Sequence, residues 1–197
     1  MRPYVRECLS QVAEKYQVGV FTASHREYAN AVIDLIDPAG ELIEFRLYRE
    51  HCYETTEGIF IKDLRVLRNR DLKDVILVDN SVYSFGFQLD NGVPIIPYFN
   101  DPNDQELVYL AQYALSLASA DDVREQNAAT FQLEEFKRAS LSCYQPQPTL
   151  ESCSAGRQSS HSAESSSAIK LKQTAQTEEA ITLNDSSLLQ VKYQANS

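Results

Sequence analysis

The 197-residue chain has few cysteines, a deficit of basic residues and no long hydrophobic run. Its four cysteines stand at positions 8, 52, 143 and 153, with no Cys-x-x-Cys pair, which excludes a zinc finger of ordinary spacing and does not favour a disulfide framework. No apolar run approaches the roughly 18 residues of a membrane span, and the first residues do not resemble a secretory leader. We therefore expect a soluble intracellular protein, nuclear or cytoplasmic, without a membrane span.

The charge balance is acidic. Lys and Arg number 18 against 28 Asp and Glu, a formal net charge of −10. Proteins that coat nucleic acids gain affinity by neutralising phosphates with basic side chains. The sequence therefore predicts no direct binding to nucleic acid, and it leaves the oligomeric state open.

The composition changes near Ala120. Residues 1–120 are dense in Val, Ile, Leu, Tyr and Phe, whereas residues 121–197 are rich in Ser, Ala and Gln. Between Ser140 and Ala168 there are ten serines and few large apolar side chains. Such a segment buries too little surface to offset its ordering entropy. We predict one folded domain over residues 1–120 and a mostly disordered tail over residues 121–197, with a short helix around residues 121–138 and mobility from about Ser140 onward.

Short apolar runs alternate with amphipathic segments in the first 120 residues, which predicts an α/β fold with a parallel sheet. The runs expected as buried strands are Val18–Phe21, Val75–Val78 and Val93–Ile96. Helices are expected after Pro3, after a capping box formed by Ser24 and Glu27, and after Asp104. Three further β-like pieces predict a small antiparallel insertion: Ile43–Tyr48, His51–Glu54 and Gly58–Ile61.

Four polar side chains follow the predicted strands or the insertion: Thr22, Lys62, Asp79 and Asn80. Ligands of open α/β sheets bind outside the carboxyl ends of the strands. Carboxylate and amide oxygens suit Mg²⁺, while a hydroxyl and an ammonium suit a phosphoryl group. A Thr after a strand is also an ordinary helix cap, and Asp-Asn-Ser is an ordinary turn, so residue type alone leaves both interpretations open.

Motifs in about the first 118 residues favour the functional interpretation. They are Arg2-Pro3, Val20-Phe21-Thr22-Ala23-Ser24, Arg49-Glu50-His51-Cys52, Ile61-Lys62-Asp63-Leu64, Val78-Asp79-Asn80-Ser81 and Asp90-Asn91-Gly92-Val93-Pro94-Ile95. In order and spacing they resemble the small C-terminal-domain phosphatases, also called NLI-interacting-factor-like phosphatases, of the haloacid dehalogenase superfamily. The resemblance implies a Rossmannoid three-layer α/β sandwich with a small β insertion. It also implies Mg²⁺-dependent hydrolysis of phosphoserine in protein substrates such as the RNA polymerase II C-terminal domain.

The resemblance also assigns catalytic and metal-binding roles. Thr22 matches the hydroxyl that binds the transferring phosphate, and Lys62 matches the lysine that neutralises the phosphate and the nucleophile. Asp79 and Asn80 match the metal-binding pair, with Asn80 the more direct Mg²⁺ ligand.

Two further positions align with the substrate cleft of the family. Tyr28 and Arg49 match residues that line the peptide-binding surface. The family has a small apolar residue where His25 stands, so the peptide preference is expected to differ. Neither His25 nor His51 is assigned a catalytic role.

The nucleophile of the family is not among these residues. It is the first Asp of an Asp-x-Asp-x-Thr motif, which ends a central strand before the position of Arg2-Pro3, and no Asp-x-Asp occurs in the 197 residues. We therefore expect no covalent catalysis by this chain as given and an incomplete Mg²⁺ site. The fold is expected to lack its central strand, which leaves Val18–Phe21 and Val75–Val78 with unpaired inward edges or forces them together.

Three interpretations stay open. The chain is either an incomplete version of an active phosphatase, which the survival of Thr22 and Lys62 favours, or a shortened relative that binds phosphopeptides without hydrolysing them. The third is the related subunit of the mitochondrial inner-membrane translocase, which shares the Arg-Glu-His-Cys and Lys-Asp-Leu patterns. Against it, the chain has no Arg-rich presequence, and Asp79-Asn80-Ser81 follows the phosphatase form.

Overall fold

The main elements are helices and strands in alternation in the computed structural model of the chain, which describes residues 1–142 and 190–193. The α-helices are α1 (Val5–Ala13), α2 (Arg26–Ile36), α3 (Glu106–Leu117), α4 (Val123–Phe131) and α5 (Leu133–Ser142). The strands are β1 (Tyr16–Phe21), β2 (Phe45–Leu47), β3 (Tyr53–Glu54), β4 (Phe60–Ile61), β5 (Val75–Asp79), β6 (Gly92–Pro94) and β7 (Gln190–Tyr193).

Five of these strands form the main sheet in the order β2-β1-β7-β5-β6. The pairs β1–β2 and β5–β6 are parallel, and β7 is antiparallel to both β1 and β5. Consequently β1 and β5 run in the same direction. The predicted strands Val18–Phe21 and Val75–Val78 therefore share one sheet, and the α/β fold is confirmed. The third predicted strand, Val93–Ile96, starts one residue earlier and ends at Pro94.

The centre of the sheet is not empty. The resemblance predicts a gap between β1 and β5, with their inward edges exposed or brought together. Instead β7 lies between them, and Val191 is in register with both Val18 and Ile76. A strand from the far end of the sequence thus supplies the backbone partners that both edges need.

The β insertion is smaller than predicted. Among the residues that the structure describes, the hairpin of β3 and β4 is the only antiparallel pair outside the main sheet. The prediction that Ile43–Tyr48 belongs to it is wrong, because that segment contains β2, which extends the main sheet parallel to β1. The turn before it explains the difference. Asp37, just after α2, accepts hydrogen bonds from the backbone N–H groups of Glu41, Leu42 and Ile43 at 2.9–3.1 Å, which directs the chain back beside β1.

The predicted capping box at the start of α2 is also wrong. The helix begins at Arg26 with His25 as its N-cap and no side-chain cap hydrogen bond. Ser24 stands one residue too early to fill the N-cap position that the Ser24–Glu27 spacing requires. Its backbone N–H donates to Thr22 Oγ1 at 3.0 Å instead.

Alternation along β5 divides the core between the two faces of the sheet. Ile76 and Val78 pack with Val18 and Val20 in one cluster, which α1, α2 and α3 cover. Val75 and Leu77 point to the other face, against a second cluster that includes Leu64, Phe85 and Leu89. Apolar packing on both faces makes the fold a three-layer arrangement.

Helices α4 and α5 follow the boundary predicted at residue 120. Val123 is buried, and the Asn127 side chain donates to the carbonyl of Asp90 at 2.9 Å, which ties α4 to the turn before β6. The boundary itself stays a prediction, and most of the tail predicted to be mobile, residues 143–189, lies outside the described residues. Within the described part, none of the helices has the length and hydropathy to cross a membrane.

Candidate functional site

The carboxyl ends of β1 and β5 carry the polar residues singled out in the sequence. Thr22 follows β1 directly, Asp79 is the last residue of β5, and Asn80 comes next. Because β1 and β5 run in the same direction, their carboxyl ends lie at one edge of the sheet. The structure therefore brings Thr22 and Asp79 to the same edge, on either side of the strand β7.

A buried ion pair lies at this edge. Lys62, just after the hairpin, donates from Nζ to Asp79 Oδ2 at 2.5 Å, and both side chains are 1% exposed. The other carboxylate oxygen of Asp79 accepts the backbone N–H of Ser81 at 2.7 Å. The backbone N–H of Lys62 donates to the carbonyl of Ser84 at 2.8 Å, which fixes where the lysine leaves the chain. A cation and an anion are thus held in one defined arrangement out of water.

Thr22 is fully buried. Its backbone N–H donates to the carbonyl of Leu47 on β2 at 2.9 Å, and its hydroxyl oxygen accepts the N–H of Ser24 at 3.0 Å. These two bonds fix the position of the hydroxyl at the start of the loop that leads into α2. Access of a ligand to Thr22 or Lys62 therefore requires the groups that cover them to move.

Cys52, just before the hairpin, packs against Thr22 at the end of β1. Its thiol contacts the carbonyl of Thr22 at 3.7 Å. Burial raises the pKa of the Cys52 thiol to about 11, while the positive charges of Lys62 and Arg49 act to lower it and the carboxylate of Asp79 acts to raise it. Cys52 is a protonated thiol at neutral pH rather than a nucleophile.

Arg49 links the loop after β1 to the hairpin. Its Nε donates to the carbonyl of Ala23 at 2.5 Å, and one terminal nitrogen lies 3.0 Å from His25 Nε2. The guanidinium also stands over the ring of Phe60, 4.9 Å from its centroid. Arg49 therefore lies half-buried at the rim of the site, bonded to the residue that follows Thr22.

The remaining predicted site residues are at the surface. Tyr28, in the first turn of α2, is 41% exposed, and Asn80 is exposed directly after β5. Within the described part of the chain, no hydrogen bond joins Tyr28 to the buried residues Thr22, Lys62 and Asp79. The roles predicted for Tyr28 and Asn80 stay predictions.

Two neighbouring residues were not predicted to take part in the site. Cys52 lies within the Arg-Glu-His-Cys run, and His25 is the residue at which the sequence departs from the family pattern. The runs around them could have drawn attention to both positions. Their contacts with Thr22 and Arg49, however, join segments more than twenty residues apart, which the local pattern does not show.

The described residues do not form a complete Mg²⁺ site. Mg²⁺ requires close to six oxygen ligands in octahedral geometry. Asp79 and Asn80 offer hard oxygen donors, but one Asp79 oxygen faces the Lys62 ammonium and the other faces the Ser81 N–H. Nowhere in residues 1–142 or 190–193 do three His, Cys, Asp or Glu side chains cluster to hold a metal. Further acidic ligands would be needed before this edge of the sheet held a divalent cation.

Comparison with solved structures finds similarity to the phosphatase Fcp1. The structure titled as that of "an essential RNA polymerase II CTD phosphatase" matches 76% of this chain and 39% of its own, at 20% identity and a TM-score of 0.43. A second structure, of the fission yeast enzyme with beryllium fluoride, gives a TM-score of 0.42.

Relatives with higher sequence identity appear among the curated proteins. CTD small phosphatase-like protein 2 of Dictyostelium discoideum is 46% identical over 135 residues, 68% of this chain and 23% of that protein. CTD small phosphatase-like protein 3 of Caenorhabditis elegans is 42% identical over 126 residues, 64% of this chain and 43% of that protein. The chain thus spans less than half the length of these relatives. The family model of the NLI interacting factor-like phosphatases matches residues 1–124. The chain belongs to the NLI interacting factor-like phosphatase family.

Proposed function

We propose that this chain provides the phosphate- and peptide-recognising part of a protein serine/threonine phosphatase that acts on phosphoserine peptides, such as those of the RNA polymerase II C-terminal domain. The observation that carries the proposal is the buried Lys62 ammonium, held beside Asp79 at the edge of the sheet where Thr22 directly follows β1. Several relatives carry phosphatase names, and three are named as small phosphatases of the carboxy-terminal domain of RNA polymerase II polypeptide A. Such a substrate would place the chain in the nucleus or cytoplasm.

The residues at this edge suit a phosphoryl group. A phosphate monoester carries close to two negative charges, and a desolvated ammonium stabilises them far more than an exposed one. Lys62 supplies that charge, and the Thr22 hydroxyl, already oriented by the Ser24 N–H, supplies a hydrogen-bond donor. Arg49 at the rim offers a second cation for the peptide that carries the phosphate.

Hydrolysis requires a group that these residues do not supply. Neither Thr22 nor Lys62 is suited to be the in-line nucleophile, because the lysine is paired with Asp79 and, among the described residues, the threonine hydroxyl is bonded to the Ser24 N–H rather than to a base. The family mechanism uses an Asp-x-Asp-x-Thr segment, which does not occur in the 197 residues. We infer that the 197 residues by themselves do not turn over substrate, and that a segment with this motif restores turnover.

Magnesium dependence belongs to the same proposal. Asp79 and Asn80 would contribute oxygen ligands, and the carboxylates of the Asp-x-Asp-x-Thr segment would complete the set. A bound Mg²⁺ would neutralise charge on the phosphoryl oxygens. Because the described residues alone do not fit the ion, we expect it to bind only in the restored protein.

The alternative is a phosphopeptide-binding module that uses the same residues. The specific observation in its favour is that the recognition groups Thr22, Lys62 and Arg49 are present in a sequence without an Asp-x-Asp. Binding needs only these groups, and it would be weakened by high salt because it depends on charge. The two functions differ in a single measurable quantity, the release of phosphate.

The test is single-turnover release of phosphate from a phosphoserine peptide, with and without Mg²⁺. The 197-residue chain is expected to release none, whereas a fusion with an Asp-x-Asp-x-Thr strand ahead of Met1 is expected to release phosphate only with Mg²⁺. Asn80→Ala in the fusion tests the metal role, and exposed Asn103→Ala is its matched control. Turnover by the unmodified chain would show that the nucleophile is misassigned. No release by the folded fusion, with retained peptide binding, would favour the binding module.

A further inference from the structure

The two halves of the main sheet are joined through β7. In the strand order β2-β1-β7-β5-β6, β1 and β5 do not pair with each other, and each pairs with β7 instead. Four residues of β7 align with Tyr16–Gly19 of β1, and three align with Val75–Leu77 of β5. We call the space between the facing edges of β1 and β5 the central slot.

The central slot requires an occupant with backbone hydrogen-bonding groups. Both edges that form it are buried: Tyr16, Val18 and Gly19 on β1 and Val75–Leu77 on β5. A buried backbone N–H or C=O without a partner costs about 1–3 kcal/mol, and both edges present several of them. Water or a side chain does not satisfy such a ladder as completely as an extended strand does.

The occupant reaches the central slot on a long connection. Helix α5 ends at Ser142 and β7 begins at Gln190, so 47 residues separate them in sequence. The entropy of closing a loop grows only slowly at this length, so a separation of 47 residues adds little to the cost of placing the strand. The slot itself must therefore select the strand.

We propose that the central slot is a peptide-binding site, that its ligand is an extended strand of the chain's own segment Gln190–Tyr193, and that the same strand binds when it is supplied as a separate peptide. The register indicates what the slot selects. Val191 stands between Val18 and Ile76, both members of the larger apolar cluster, and Tyr193 stands opposite buried Tyr16. The preferred ligand is an antiparallel strand with apolar residues at alternate positions, bound by strand addition on both of its edges.

Cleavage of the connection in the folded full-length chain tests the proposal. A site for a specific protease is inserted between Ser166 and Ser167, the folded protein is cut, and the two fragments are passed through a size-exclusion column. The fragment that contains Gln190–Tyr193 is expected to co-elute with the fragment that contains residues 1–142. A labelled synthetic peptide of residues 185–197 is expected to bind to the cut protein and to displace the fragment that contains Gln190–Tyr193.

A proline variant tests whether the backbone hydrogen bonds of β7 are what retains the fragment. Val191→Pro removes an N–H that a central strand needs for its ladder, so we expect retention of the cut fragment and binding of the peptide to weaken about tenfold or more. Gln176→Pro, in the connection, is the matched control and is expected to retain the fragment. Separation of the unmodified fragments on the column would overturn the proposal, as would equal retention of the Val191→Pro fragment. In the uncut chain, amide exchange at Val18 and Ile76 should accelerate with Val191→Pro, and unchanged exchange would also contradict the proposal.

Discussion

Lys62, just after the hairpin, and Asp79, the last residue of β5, form an ion pair at 2.5 Å in which both side chains are 1% exposed, although they lie 17 residues apart. The pair keeps a positive charge in a site that excludes water. Removal of either partner would leave the other charge buried and uncompensated, which would destabilise the fold. The pair is therefore both the centre of the proposed phosphate site and a vulnerable point of the fold.

Removal of the Lys62 charge is expected to destabilise the protein strongly. Lys62→Met leaves the Asp79 carboxylate buried without its cation, which costs about 3–5 kcal/mol of unfolding free energy. Denaturant unfolding monitored by circular dichroism measures the loss. Lys73→Met, which removes an exposed lysine, is the matched control and should change stability by less than about 0.5 kcal/mol.

The double variant Lys62→Met/Asp79→Leu distinguishes two causes of lost stability, the unpaired Asp79 carboxylate and the altered packing of side chains. Because it leaves no uncompensated buried charge, it should recover part of the stability that Lys62→Met loses. A double variant that is less stable than Lys62→Met would show that packing, rather than the unpaired carboxylate, causes the loss.

The Cys52 thiol is expected to alkylate slowly at pH 8. Its pKa is raised from 9.0 to about 11 by burial, so the reactive thiolate is about a hundredfold rarer in the folded protein than in the unfolded chain at that pH. The rate of iodoacetamide modification, followed by mass spectrometry of the Cys52 peptide, should rise with pH without a plateau below pH 10. The raised pKa also means that this group favours the folded state below pH 9, and that the contribution is lost as the pH rises towards 11.

The control for Cys52 is the same reaction in denaturant. There the rate at pH 8 should increase by about a hundredfold, since the thiol returns to its ordinary pKa. A plateau near pH 8.5 in the folded protein would contradict the assignment of a buried, protonated thiol.

The strands that local pattern predicts well are those buried on both faces. Val18–Phe21 and Val75–Val78 are apolar along their length, so the sequence alone identifies them as central strands. The position of β2 is less predictable, because a short alternating run such as Ile43–Tyr48 fits a hairpin or a parallel edge strand equally well. The turn held by Asp37 brings the segment beside β1, and the alternating run itself does not reveal that turn.

Pairing between distant parts of the chain explains the other differences between the sequence-based predictions and the structure. Gln190–Tyr193 has only four residues and no strong strand pattern, so its place in the sheet depends on edges more than 110 residues away. The positions of Thr22 and Asp79 at one edge of the sheet were predictable, because Thr22 directly follows β1 and Asp79 is the last residue of β5. The Lys62 pairing, and the packing of Cys52 against Thr22, depend on how the hairpin folds back.

Gly19 is expected to tolerate no side chain. A Cβ built at Gly19 would lie 2.1 Å from Cζ of Phe45 on the neighbouring strand, far inside van der Waals contact. Gly19→Ala should therefore lower the unfolding free energy by about 1–3 kcal/mol. In the Phe45→Ala background the same change should cost much less, as a double-mutant cycle by chemical denaturation would measure. Equal costs in both backgrounds would mean that the ring of Phe45 moves aside freely.

The last prediction concerns competition for the central slot, and it rests on both proposals. The family resemblance places the Asp-x-Asp-x-Thr strand between the strands that match β1 and β5, where β7 lies in this structure. In the 197-residue chain, Val191→Pro should lower the unfolding free energy by about 1–3 kcal/mol, because the sheet loses a central ladder bond. In the fusion that carries the upstream strand, the slot has a second occupant, and the same substitution should have little effect.

Denaturant unfolding of four proteins, with and without the upstream strand and with and without Val191→Pro, measures this coupling directly. Competition predicts a strongly non-additive cycle, because the cost of the proline disappears once another strand fills the slot. Phosphate release by the fusion should be unchanged or faster with Val191→Pro, since the substitution weakens only the competing strand. Additive costs would mean that the two strands occupy different places. Phosphate release that falls with Val191→Pro would mean that β7 supports the active arrangement instead of giving way to it.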